Sequence, residues 1–337
     1  MGVTGVGRIG VMHARNLSLT PGVSELVLHD PVPGRAAEVA AHLGGAVPAR
    51  ATDTLATLLA GVDGVLIATP TPSHAEVLYA ALDAGVPVLV EKPLAGDLTT
   101  IRSAIERVER AGVPVVVGFQ RRFDPAIAEL KRRIASGAIG DLYYLRAIAF
   151  DAKPPAAEYI PGSGGIFRDM FIHDLDCVPW LVGRDVVEVF ATGSVLVDQA
   201  FADADDLDTA AITLTFAGGV VAQIAGGRRD GGGYDNRIEA IGSAQALTSG
   251  LDVRSPIVSL EPGGHDPAAD AYPGFSERYA VAYAREAATF LDVIAGRVEN
   301  PSPVRDSLVS LVLAEACETS RRRGAPVTID PSDLRVG

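Results

Sequence analysis

Gly2-Val3-Thr4-Gly5-Val6-Gly7-Arg8-Ile9-Gly10 places a short apolar run before a G-x-G-x-x-G, and an amphipathic stretch follows over 8–19. In a strand–turn–helix of this kind the first glycine permits the tight turn. The second lets the backbone approach a pyrophosphate, and the third lets the helix pack on the strand, its N-terminal amides facing the phosphates. With 36 glycines in 337 residues the pattern alone is weak. Its context is Asp30, twenty positions beyond Gly10 at the end of a second apolar run, Glu25-Leu26-Val27-Leu28. A carboxylate there accepts hydrogen bonds from ribose hydroxyls and repels a 2′-phosphate. Pro31 follows rather than Arg or Ser, so NAD is expected in preference to NADP, held by Gly5, Gly7, Arg8, Ile9, Gly10 and Asp30. A strand-end Asp that caps the next helix is the plainer reading, and it is compatible with the first.

The first half continues in the same alternation. Apolar runs at 64–68, 86–90 and 114–117 read as strands, and segments near 34–43, 53–60, 73–84 and 97–111 read as helices. Ile101, Ile105 and Val108 mark one helix face, and Gly85 and Gly112 stand at helix stops. Ser73-His74-Ala75-Glu76 has the form of a capping box. Alternating βα units imply a doubly wound parallel sheet, with ligands bound at the carboxyl ends of its strands. Two motifs lie at that edge. Thr69-Pro70-Thr71-Pro72-Ser73-His74 follows the third apolar run as a loop stiffened by two prolines, and Thr69, Pro70 and His74 are candidate cofactor contacts. Glu91-Lys92-Pro93 closes Val86-Pro87-Val88-Leu89-Val90. A surface Lys at a strand end is the bland alternative, but a nicotinamide site needs a charged group there.

After about residue 118 the pattern changes. A helix near 124–136 precedes a strand near 141–150, a loop from Asp151 to Gly165, and a helix near 167–182. Runs near 186–198, 207–217, 219–226 and 235–242 follow without helices between them, which suggests a mostly antiparallel sheet. Helices near 277–295 and 306–323 close the chain, and 226–233 and 262–274 read as loops. The fold expected is α/β: a Rossmann domain over 1–118, then an α+β domain with an open, mostly antiparallel sheet over 119–337.

Asp169 and His173 are spaced i, i+4, and Asp176 lies three residues further on, so on a continuous helix they share or adjoin one face. An exposed Asp–His pair is the plain reading. Beside a nicotinamide, the pair offers the base that takes a hydroxyl proton. Competing chemistries are weak. The charge of −13 disfavours nucleic acid and anionic membrane as partners. Six His and two Cys show no metal spacing, and neither a G-x-S-x-G elbow nor a Walker loop with Lys is present. No apolar run is long enough to span a bilayer and no signal peptide opens the sequence, so a cytoplasmic protein is expected.

These residues together resemble the glucose–fructose oxidoreductase / inositol dehydrogenase / MocA superfamily along essentially the whole chain. The motifs are the Gly5/Gly7/Gly10 turn, Thr69-Pro70 to His74, Glu91-Lys92-Pro93, and Gly164-Gly165-Ile166-Phe167-Arg168-Asp169 running into His173 and Asp176. The last segment, and Gly118-Phe119-Gln120-Arg121-Arg122-Phe123-Asp124-Pro125, look most like the inositol 2-dehydrogenase branch. The resemblance implies NAD-dependent oxidation of a cyclitol ring hydroxyl, with Lys92, Asp169 and His173 as the catalytic set. It also implies Glu91 and Lys92 near the cofactor, Gln120, Arg121, Asp176 and Tyr234 near substrate, a Lys92–Pro93 bond that can be cis, and homodimers or homotetramers built through the second domain's sheet. A pyranose, glucoside or anhydrosugar dehydrogenase and a non-catalytic NAD or sugar sensor are the rival expectations. Three features depart from the branch. The first strand is short, so either the true start lies upstream or the strand frays; Gln120 stands where an apolar residue is common; and Gly231-Gly232-Gly233 leaves Tyr234 without a neighbouring aromatic.

Overall fold

Six short parallel strands carry the first half of the chain in the computed structural model, which describes residues 1–264 and 270–335. They are β1 (Gly2–Thr4), β2 (Leu26–His29), β3 (Ala49–Ala51), β4 (Val65–Ile67), β5 (Val88–Glu91) and β6 (Val115–Gly118), in the order β3-β2-β1-β4-β5-β6. Helices α1 (Arg8–Leu19), α2 (Arg35–His42), α3 (Leu55–Leu59), α4 (His74–Asp83) and α5 (Leu98–Ala111) connect them. The strand order reverses between β1 and β4, which sets the switch point where this kind of sheet takes ligands. Val3, Leu26, Leu28, Leu66 and Leu89 are almost completely buried in the core. The short β1 is not frayed: it pairs with β2 on one side and β4 on the other. The edge strand β3 has no sequence signal, because Ala-Arg-Ala carries no β-branched or aromatic residue.

α5 follows its sequence closely. Asp97 caps it by accepting from Thr100 N–H, Ile101, Ala104, Ile105 and Val108 are buried, and Gly112 ends it in the left-handed region. Replacing Ile105 by Ala would cost about 2–5 kcal/mol of stability. α4 differs from expectation. Ser73 has helical rather than extended backbone angles and caps nothing; its hydroxyl donates to Pro70 O within a 3-10 turn over Thr71–Ser73. Pro70 and Pro72 fix that turn and remove the extended geometry a capping box needs.

The second unit begins with α6 (Pro125–Ala135), capped by Asp124, whose Oδ1 accepts from Ala126 and Ile127 N–H. β7 (Leu142–Phe150), α7 (Ile166–Asp169), α8 (Ile172–Val182), β8 (Val186–Ser194), α9 (Gln199–Asp203), β9 (Thr209–Phe216), β10 (Val221–Gly227), β11 (Asp235–Gly242), β12 (Ala246–Ser249) and α10 (Phe275–Arg278) follow. With β13 (Val327–Thr328) the strands join one sheet in the order β12-β11-β7-β10-β9-β8-β13, in which β7 and β10 run parallel and the other neighbours antiparallel. Period-two burial is clear in β9, where Ala210, Ile212, Leu214 and Phe216 are covered. The opposite face carries an Arg146–Glu239 ion pair across β7 and β11. The strand expected over 186–198 stops at Ser194, because Asp198 turns to cap α9. Part of the loop expected at 262–274 lies outside the described residues.

α11 (Ala280–Ile294), α12 (Val304–Arg323) and β13 (Val327–Thr328) end the fold. Here the expected single cut after residue 118 does not describe the packing: the compact units are 1–123 with 281–308, and 124–280 with 309–335. Ala287, Phe290 and Val293 of α11 are buried in the same hydrophobic cluster as Val3, Leu28 and Leu66, so this apolar helix finds its cover in the first unit.

Candidate active site

The glycine turn of the first unit is shaped by clashes that side chains would cause. Gly5 has φ +82°, and a Cβ there would lie 2.6 Å from Thr69 N. A Cβ on Gly10 would lie 1.9 Å from Gly5 O, so that glycine lets α1 close on β1. A Cβ on Gly7 would meet nothing within 4 Å. That open space sits at the N-terminus of α1, where Gly7 supplies no side-chain cap. Asp30 does more than await a ribose: its Oδ2 accepts from Val6 N–H at 2.9 Å and its Oδ1 from Val32 N–H at 2.9 Å. Arg35 Nη1 also lies 3.4 Å from Asp30 Oδ1, a cation placed beyond Pro31 by the start of α2.

At the ends of β4 and β5 three motif residues are tied together. Both ring nitrogens of His74 face main-chain carbonyls, Nε2 that of Thr69 at 2.8 Å and Nδ1 that of Pro93 at 2.9 Å. Burial pushes its pKa down, against the pull of these two carbonyls. His74 is 1% exposed and its nitrogens are occupied, so what it offers the cofactor loop is bracing rather than a polar contact. Glu91 likewise faces inward. Its Oε1 lies 2.6 Å from His13 Nε2, and its Oε2 accepts from Lys92 N–H at 3.1 Å. Burial opposes its ionisation, yet the His13 hydrogen bond and the charges of His13 and Lys92 outweigh this and hold its pKa below the usual range. The Lys92–Pro93 bond is cis.

Among the unpartnered buried polar atoms of this unit, two lie on motif residues expected at the ligand site. Thr69 Oγ1 and Gln120 Oε1 are both buried and have no hydrogen-bond partner. Gln120 and Arg121 are 3% exposed in a 3-10 turn over Gln120–Phe123. The open space over Gly7, the inward-held Asp30 and the orphaned Thr69 hydroxyl fit a dinucleotide.

In the second unit Gly164 and Gly165 have φ +85° and +87°, and Asp206 Oδ1 accepts from Ile166 N–H at 2.8 Å. Ile166 O then accepts from both Met170 N–H, at 3.0 Å, and Phe171 N–H, at 2.9 Å. The second bond widens the turn and separates α7 from α8. The expected helix over 167–182 is therefore two, and the i, i+4 argument for Asp169 and His173 loses its basis. Asp169 is held instead by groups remote in sequence. Tyr159 OH donates to its Oδ1 at 2.8 Å, and Arg228 Nη2 lies 2.8 Å from its Oδ2. His173 is half-buried in the first turn of α8, and Asp176 is buried one turn on. Tyr234 is buried, and its ring meets Tyr279 edge-on at 6.4 Å. The aromatic neighbour missing from Gly231–Gly233 thus comes from just before α11.

His13, Tyr159, Arg228 and Glu286 also belong to these networks, and no sequence motif includes them. Nothing local marks them, because each acts through a partner that only folding brings near.

Residues 1–119 match the model of the oxidoreductase family with an NAD-binding Rossmann fold, and 127–248 match the GFO/IDH/MocA C-terminal domain. The chain is 36% identical over 325 residues to a myo-inositol dehydrogenase of Streptomyces leeuwenhoekii, spanning 96% of this chain and 97% of the relative. It is 34% identical over 338 residues to scyllo-inositol 2-dehydrogenase (NAD(+)) of Bacillus subtilis, spanning 99% and 97%. Its fold matches the crystal structure of a myo-inositol dehydrogenase from Corynebacterium glutamicum with a TM-score of 0.87 at 36% identity, over 98% of each chain. Two matched domains and full-length relatives lead to one conclusion: the chain belongs to the GFO/IDH/MocA family of NAD-dependent oxidoreductases.

Proposed function

We propose that this protein oxidises a ring hydroxyl of a cyclitol, such as an inositol, to a ketone. The observation that carries the reading is full-length similarity to inositol dehydrogenases in a chain that keeps Lys92, Asp169 and His173 together with the glycine turn. NAD, when bound, supplies the hydride acceptor; Gly5–Gly10, Asp30 and Thr69 would hold it. In this reading His173 takes the proton of the hydroxyl while Asp169 steadies the imidazolium that results. The Lys92 ammonium donates to the same oxygen and stabilises negative charge as it develops. Gln120, Arg121, Asp176 and Tyr234 would set the substrate ring; the buried, unpartnered Oε1 of Gln120 suits a hydroxyl donor.

In this reading the protein works in the cytoplasm as a homodimer or homotetramer. Cys177 and Cys317 are both buried thiols, and Phe190 and Ile241 are exposed on strands of the second sheet. No helix among the described residues is long and apolar enough to cross a membrane. The test is NADH absorbance on adding myo-inositol, scyllo-inositol, glucose, xylose and a glucoside in turn. Turnover of an inositol well above the sugars supports the reading; turnover of a sugar alone replaces the substrate, and none at all favours a sensor.

A further inference from the structure

Asp169 sits among several charged and polar groups of the second unit. Arg228, 5% exposed, places Nη2 2.8 Å from Asp169 Oδ2 and Nη1 3.5 Å from Asp151 Oδ2. Tyr159 OH occupies Asp169 Oδ1 at 2.8 Å. Asp206 stands close enough to interact electrostatically with both Arg228 and Asp169, and it fixes the start of α7 through Ile166 N–H. Burial raises its pKa, against the pull of the Ile166 and Leu207 N–H groups and of Arg228. Asp174 and Asp176 on α8 are the further acids on His173's own helix. Arg228 comes from the end of β10, and Tyr159 from the loop before α7.

We propose that Arg228 is a positioning residue for the proton transfer, holding Asp169 as a fixed and partly neutralised carboxylate, with Tyr159 as the second point of the clamp. This rests on the reading of Asp169 and His173 as the acid–base pair. A bare carboxylate would favour the charged imidazole and leave His173 unfit to accept a proton until higher pH. The guanidinium offsets part of that charge, and its planar fork fixes the carboxylate's plane. A purely structural Arg would stabilise the fold but leave the ionisation of His173 alone.

The experiment follows His173 in two ways: its ring titration by NMR in the cofactor-free protein, and the pH profile of inositol oxidation with NAD saturating. Arg228→Gln keeps an N–H donor and removes the charge, so both readouts should move to higher pH by about half a unit or more. Arg228→Lys restores the charge and should return them toward the wild type. Tyr159 is half exposed, so Tyr159→Phe leaves a folded protein even where Arg228→Gln does not, and it should give a smaller shift in the same direction. Unmoved titrations in Tyr159→Phe and in whichever Arg228 variant folds overturn the proposal. His173→Ala tests the underlying reading separately: if it keeps the wild-type profile the base is another group, whereas loss of the limb with no shift in the clamp variants refutes the role of Arg228 alone.

Discussion

His13 Nε2 lies 2.6 Å from Glu91 Oε1, so a histidine on the first helix fixes the residue that precedes Lys92. The other ring nitrogen, Nδ1, lies 4.0 Å from Glu286, a fully buried carboxyl on α11 whose two oxygens have no hydrogen-bond partner. Burial, then the charge of Glu91, raises the Glu286 pKa well above the ordinary value.

Glu286→Gln should therefore stabilise the protein at neutral and alkaline pH. With the folded pKa raised, the unfolded chain loses its proton first. Stability is full below the ordinary carboxyl pKa and falls as pH rises, by up to about 1.4 kcal/mol per pH unit until the folded pKa is reached. A neutral amide has no such loss. Urea unfolding between pH 4 and 8 should show the two proteins converging at the acid end and separating above it; parallel curves would mean Glu286 is ionised in the fold.

Wild-type protein should favour NAD over NADP by at least about tenfold in kcat/KM, since a carboxylate beside a 2′-phosphate is a like-charge contact. Asp30→Ala should narrow the gap from both sides. It weakens NAD binding and frees the Val6 N–H, and it leaves Arg35 available to a 2′-phosphate. Arg35→Ala added to Asp30→Ala should remove the NADP gain. Steady-state kinetics with both cofactors decide it, and equal efficiencies in the wild type refute the role given to Asp30.

Lys92→Met should keep the fold, because the side chain is replaced by one of similar length while the Glu91 contact to the backbone N–H survives. Turnover should fall ~10²–10³-fold with cofactor binding largely kept. NADH fluorescence and initial rates separate the two, and full activity rules out a charge-stabilising role.

Asp169→Asn should lower turnover and move the rising limb of the oxidation profile to lower pH, because an amide does not favour the imidazolium. It should also lower stability by roughly 2 kcal/mol, since Arg228 loses a charged hydrogen-bond acceptor. His173→Ala should remove the limb with most activity. The rate losses in the double variant should not multiply, as both residues serve one proton transfer; clean multiplication would make Asp169 a substrate-positioning residue.

The Rossmann half was legible because its signals are local. Gly5 takes a left-handed φ within the turn itself, Gly10 packs on the carbonyl of Gly5 five residues back, and strands buried on both faces read as unbroken apolar runs such as Val88–Val90. β9 showed its period of two for the same reason: each residue reports its own face. Sequence by itself thus determined the sheet class, the family and the motif residues.

Tertiary structure alone decided the rest, because these features depend on partners far apart in the chain. Asp169 and His173 lie on two helices rather than one, since the glycines at 164 and 165 and the doubly bonded Ile166 carbonyl shape a turn that helical spacing does not foresee. Arg228 reaches Asp169 across 59 residues, and His13 reaches Glu91 across 78. α11 joins the first unit because an apolar helix is stabilised wherever its stripe is covered, and periodicity marks the stripe without naming the cover.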